Sequence, residues 1–132
     1  MNHLSAKDTK EHLDVVVVGA GQAGLAMGHF LARRRRRFVI LDAADSIGAA
    51  WRSRWESLVL FTSRRFDGLP GLAFPGDPDG YPTRDEVIAY LEQYAATFEL
   101  PIQLDSAVRS LTAKDGRFVV GLEDRRVEAD QV

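Results

Sequence analysis

DVVVVGAGQAGLAMGHFLARRRRRFVILD, residues 14–42, reads as strand, glycine turn, helix and strand, closed by an acid. Residues 15–18 are four consecutive valines, the pattern of a parallel strand buried on both faces. Gly19, Gly21 and Gly24 give G-x-G-x-x-G where that strand hands over to a helix expected over residues 22–34. Each glycine has its own reason: Gly19 for the tight turn, Gly21 for close approach of a pyrophosphate, Gly24 for helix–strand packing. The helix start adds free N–H groups and a partial positive charge, which together hold a phosphate. A second strand over residues 38–41 ends at Asp42, 23 residues after Gly19. There a carboxylate can accept hydrogen bonds from a ribose diol, and it repels a 2′-phosphate. The stretch therefore predicts a dinucleotide site for FAD or NAD rather than NADP, in an α/β fold.

The rest of the composition narrows the field. At 132 residues the chain is about one domain long and can bury its own core. A formal charge of −2 gives no reason to expect nucleic acid or an anionic membrane as a partner. The chain has no cysteine, which removes disulfides, thiolate metal sites and cysteine nucleophiles. Residues 1–13 are polar and mixed in charge, unlike a secretory signal, and read as a loose leader. No apolar run approaches a membrane span, so a cytoplasmic location is the default expectation.

Beyond Asp42 the signals alternate between weak and strong. Five arginines at residues 33–37 suggest either an anion or nucleic-acid patch or, the stronger reading, a helix C-terminus where cations complement the dipole. No glycine closes that helix, so the turn into the second strand is expected to be poorly defined. Residues 42–55 read as a loop carrying Gly48, Trp51 and Trp55, the tryptophans serving either as core filling or as cofactor contacts. Residues 66–82 are rich in glycine and proline and should form a long irregular loop covering a pocket or awaiting a partner. Thr83 and Glu86 form a T-x-x-E capping box. Val87, Ile88, Leu91, Tyr94, Ala95 and Phe98 then recur at helical spacing as far as Glu99, and Pro101 ends the helix. Strands follow at residues 102–104, 108–112, 117–122 and 127–132, with Asp115-Gly116 as a hairpin turn.

The motifs VVVVGAGQAGLA, VILDA, IGAAWRSRWESLVLFT, FDGLPGLAFPG and YPTRDEVIAYLEQYAATFELP give the chain a family resemblance. From Asp14 to Val132 it resembles the N-terminal FAD-binding part of the class B flavin-dependent monooxygenases, two-dinucleotide flavoproteins that use FAD and NADPH. The resemblance implies a Rossmann-like βαβ domain with a parallel sheet, the long loop, a second helix and a small antiparallel meander. It implies that Gly19, Ala20, Gly21, Gln22, Ala23 and Gly24 cradle the FAD pyrophosphate, and that Asp42 binds the adenosine ribose. Gly48, Trp51 and Arg52 match the G-x-x-W segment along the flavin side. Residues 60–62, Thr62 among them, would approach the ribityl chain or ring, and the backbone of Val108 would meet the adenine. In such enzymes NADPH reduces FAD, and a C4a-(hydro)peroxyflavin passes one oxygen atom of O₂ to a small-molecule substrate.

The same resemblance sets expectations about what the chain lacks. The family continues into an A-T-G turn and a second glycine fingerprint for NADPH, neither of which occurs here. Residues 14–132 are thus expected to be a partial FAD-binding domain, truncated or split from a remainder that a separate chain or a homo-oligomer would supply. His3, His12 and His29 show no triad partner in sequence, the serines lack nucleophile-elbow context, and no metal spacing occurs. No catalytic residue is assigned, which fits chemistry carried by the cofactor. The alternatives are a non-enzymatic dinucleotide-binding or interaction module, and an inert fragment.

Overall fold

The computed structural model describes residues 11–132. Its organising element is a six-stranded sheet with strand order β3-β2-β1-β6-β5-β4. The strands are β1 (Glu11–Val18), β2 (Phe38–Leu41), β3 (Ile102–Gln103), β4 (Ser110–Lys114), β5 (Arg117–Gly121) and β6 (Arg126–Gln131). Helices are α1 (Gln22–Arg33), α2 (Ala49–Arg52), α3 (Arg64–Asp67) and α4 (Arg84–Thr97).

The valine run lies between two parallel neighbours but is not buried on both faces throughout: Val16 is fully buried, whereas Val18 is 55% exposed. β1 pairs in parallel with β2, Val17 opposite Ile40, and in parallel with β6, Leu13 opposite Ala129. β3 pairs in parallel with β2. The β4–β5–β6 meander is antiparallel. Its first hairpin turns on Asp115 and Gly116, both at positive φ (53° and 78°), the two-residue geometry that matches strand twist. One face of the sheet carries α1 and α4 over a core of Leu25, Ile40, Tyr90, Leu91 and Tyr94. A second cluster joins Val16, Val39 and Leu41 to Val120, Val127 and Ala129 of the meander, with Val108 packed against it. Gly28 lets α1 sit low: a Cβ there would stand 2.9 Å from Ile40 Cδ1.

Several boundaries differ from the sequence expectation. The supposed leader overlaps β1, whose residues 11–13 pair with β6; residues 1–10 lie outside the described part. Residues 42–55 contain α2, and the loop from residue 66 overlaps α3. β4 starts two residues later than expected. The meander has three strands, and its last one also joins β1, a long-range pairing that no local pattern encodes.

The helix ends are well determined. α4 carries the expected capping box, with Thr83 accepting from the Glu86 N–H and Glu86 reaching back to Thr83. The turn after α1 is sharply defined despite the missing glycine. Arg35 takes the left-handed position (φ 54°), its N–H donates to Ala32 O, and the Arg36 N–H donates to Leu31 O. That is a Schellman closure with arginine where glycine is usual. α4 closes likewise, with Glu99 at φ 50° and Leu100 donating to Ala95 O.

Candidate dinucleotide site

Gly19 ends β1 at φ +104°, a conformation an L side chain rarely adopts, and its N–H donates to Leu41 O at 2.7 Å. The turn is thereby pinned to the end of β2. Gly24 must be glycine for a different reason: a Cβ would stand 1.9 Å from the Gly19 carbonyl oxygen. At Gly19 and Gly21, by contrast, an added Cβ would meet nothing within 4 Å. Among the described residues, the space beside these two positions is open.

Gly21 is the N-cap of α1; no side chain caps the helix, and no acid lies in its first turn. The first-turn amides of a helix have no intrahelical acceptor, and Gly21, Gln22 and Ala23 are exposed. α4 shows the opposite condition, with Thr83 capping it and Asp85 and Glu86 in its first turn. Of the two long helices, α1 presents a bare positive end suited to an anion.

Asp42, at the end of β2, points back at this turn. Its Oδ2 accepts from the Ala20 N–H at 2.6 Å and its Oδ1 from the Ala44 N–H at 2.8 Å. The carboxylate braces the turn while each oxygen keeps acceptor capacity for a hydroxyl. Beyond it opens a cleft of about 380 Å³ lined by Ala43, Ser106, Ala107, Arg109 and Arg125 among others. Val108 turns its side chain into the core while its neighbours line this cleft.

On the other side of the turn lies a second cleft of about 260 Å³, which Gln22, Trp51, Leu60 and Thr62 line together with Tyr90 and Leu91. Gly48 starts α2 at φ 79°, and the Trp51 N–H donates to its carbonyl at 3.0 Å. Trp51 is half-buried against the core, whereas Trp55 is 60% exposed and fills no core. Arg52 is not brought to the cleft. Its guanidinium donates to Ile47 O and Ser46 Oγ and pairs with Glu92 at 3.5 Å, fastening the α2 segment to α4.

Tyr90 and Arg64, which shape this cleft, gave no signal in the sequence, and Tyr94 only that of an apolar helix face. The Tyr90 hydroxyl donates to Leu72 O (2.6 Å) and accepts from the Leu69 N–H (2.7 Å); the Tyr94 hydroxyl donates to Pro70 O (2.5 Å). Burial raises both phenols, Tyr94 to about 12, so both stay protonated donors. Arg64 clasps the other limb of the loop. It pairs with Glu86 at 2.7 Å, its backbone N–H donates to Gly80 O, and a Cβ at Gly80 would displace the tip of its guanidinium. The Arg64 hydrogen bond lowers the Glu86 carboxyl below its usual value. Thr62 Oγ1 donates to Asp67.

Neither described histidine lines either cleft. His12 Nε2 lies 3.4 Å from Asp130, near the start of β1. His29 is buried in an aromatic nest, 4.5 Å from the Phe98 ring centroid. Among the described residues no group of His, Cys, Asp or Glu could hold a metal, and no helix is long and apolar enough to cross a membrane.

A mixed α/β sheet opening on a β-Gly-α turn, with a meander joined to the parallel strands, defines a Rossmann-like domain of the FAD-binding kind. Residues 16–132 match the pyridine nucleotide-disulphide oxidoreductase family, and the chain belongs to it. It is 50% identical over 120 residues to an uncharacterised CzcO-like oxidoreductase of Geobacillus kaustophilus, covering 91% of this chain and 34% of that protein. A flavin-containing monooxygenase from Stenotrophomonas maltophilia has the same fold, with a TM-score of 0.86 and 38% identity over 92% of this chain and 38% of its own. A probable indole-3-pyruvate monooxygenase of Arabidopsis thaliana, YUCCA7, is 42% identical over 96 residues, 72% of this chain and 22% of that protein. The chain is thus a member of a flavin-dependent oxidoreductase family that includes monooxygenases, and it spans about a third of the length of such relatives.

Proposed function

We propose that this chain binds FAD and forms the FAD-binding portion of an NADPH-dependent monooxygenase. One observation carries the reading: the open glycine turn, with its bare helix start, stands between two clefts. Asp42 and Ala43 lead to one, and Gln22 leads into the other. A ligand with a diphosphate at its middle and a ring system at each end suits that layout. Gly19 to Gly24 would hold the diphosphate through backbone amides. Asp42 would accept from the adenosine ribose, and the backbone at Val108 would face the adenine. Gly48, Trp51 and Thr62 would border the flavin end, with Arg52 holding their segment in place rather than touching the ligand.

Bound FAD supplies the redox chemistry, inserting one oxygen atom of O₂ into a small molecule at the expense of NADPH. The chain's own contribution is positioning and shielding, the latter from the loop that Tyr90, Tyr94 and Arg64 hold over the second cleft. Titration of the chain with FAD, NAD, NADP and ADP-ribose, followed by calorimetry and flavin fluorescence, tests this. FAD is expected to bind tightest, with its fluorescence altered. Saturable binding of NAD or ADP-ribose without binding of FAD would overturn it.

A further inference from the structure

At the end of the strands opposite the glycine turn, the chain leaves α1 through Arg33, Arg34, Arg35, Arg36 and Arg37. All five are exposed. Among the described residues, none forms an ion pair with a carboxylate. The helix dipole accounts for cations in the last turn and fades beyond it, so it explains Arg33 and Arg34 but not the three that follow. Arg35 stands in the left-handed position, where glycine would be free of strain. Beside the cluster Phe30 is apolar and 45% exposed, one helical turn before Arg34 on α1. Met27 and Leu31 instead line a groove along β1 with Val16, Val18 and Gly24.

We infer that this corner is a docking surface for an anionic phospholipid bilayer. Guanidinium groups pair bidentately with phosphate. The Schellman reversal carries them around the end of α1, and the clefts described above take no part of their lining from them. An exposed cationic turn flanked by an exposed aromatic suits a surface that offers phosphates and also admits an apolar side chain. With the chain carrying a net −2, attraction to such a surface is local and would orient the molecule. It would hold the glycine turn on the side facing away from the lipid.

The test is co-sedimentation of the full chain with phosphatidylcholine vesicles, with and without phosphatidylserine. Binding is expected only to the phosphatidylserine vesicles and is expected to be lost at high salt. Each arginine near such a surface is worth about a fivefold factor, so Arg34→Gln with Arg36→Gln should weaken binding about 25-fold. The paired Arg34→Lys and Arg36→Lys variant, which keeps the charge but loses the bidentate fork, should bind more weakly than the unaltered chain and more tightly than the glutamine pair. Phe30→Ser should weaken binding without changing its salt dependence. Equal association with uncharged vesicles, no association with anionic ones, or binding to RNA or an acidic peptide in their place would overturn the inference. So would a glutamine pair that binds like the unaltered chain.

Discussion

Replacing Asp42 with asparagine preserves shape and changes the hydrogen-bonding sense of one atom. The two carboxylate oxygens each accept a backbone N–H, from Ala20 at 2.6 Å and from Ala44 at 2.8 Å. Whichever way the amide is turned, its NH₂ faces one of those donors. A hydrogen bond to a charged group contributes about 1.5–3 kcal/mol, so the variant should lose about 2 kcal/mol before any ligand is added. For a chain of this size that is a fall in Tm of roughly 6–10 °C. Urea denaturation without nucleotide measures the loss; a parallel FAD titration should show binding weakened at least about tenfold, since the ribose also loses a charged acceptor. A variant as stable as the parent to within about 0.5 kcal/mol would refute the brace. Lowered stability with unchanged FAD affinity would keep the brace and remove the ribose contact.

Two further changes probe the frame around the site. Tyr94→Phe leaves Pro70 O without its partner and should cost about 1 kcal/mol at neutral pH. Because the folded phenol is raised from 10.0 to about 12, its contribution is fully present below pH 10 and is lost as pH climbs toward 12. Stability measured against pH should therefore fall less steeply in that window for the phenylalanine variant; an unchanged alkaline slope would contradict the assignment. Glu99→Gly should raise stability by about 1 kcal/mol, relieving the left-handed residue and removing an acid from the negative end of α4. Glu99→Ala, which keeps the strain, should recover only part of this in urea midpoints.

What could be read from the sequence was local, and what could not was distant. The valine run, three glycines and Asp42 declared the βαβ unit because each is tied to a neighbour by a fixed spacing, and Thr83 with Glu86 marked the start of α4 for the same reason. The pairing of β6 with β1 left no trace, since nothing in residues 126–131 distinguishes an antiparallel neighbour from a parallel one. The second cleft was only half legible. Trp51 and Thr62 came from a motif, but Tyr90 falls outside the apolar spacing that marked α4. Its role in holding Leu69 and Leu72 depends on how the irregular loop crosses α4. Arg52 lies inside a recognisable motif, yet its contacts with Ile47, Ser46 and Glu92 depend on the fold and could not be read from it.

The strand that stitches the meander to β1 has a consequence for synthesis. Glu11 meets its partner Val127 only after nearly everything between them has left the ribosome. At 5–20 residues per second, the first strand waits on the order of ten seconds with one flank bare. During that interval the valines are sticky cargo in search of a neighbour, and a chaperone that shelters nascent apolar segments would find its customer there.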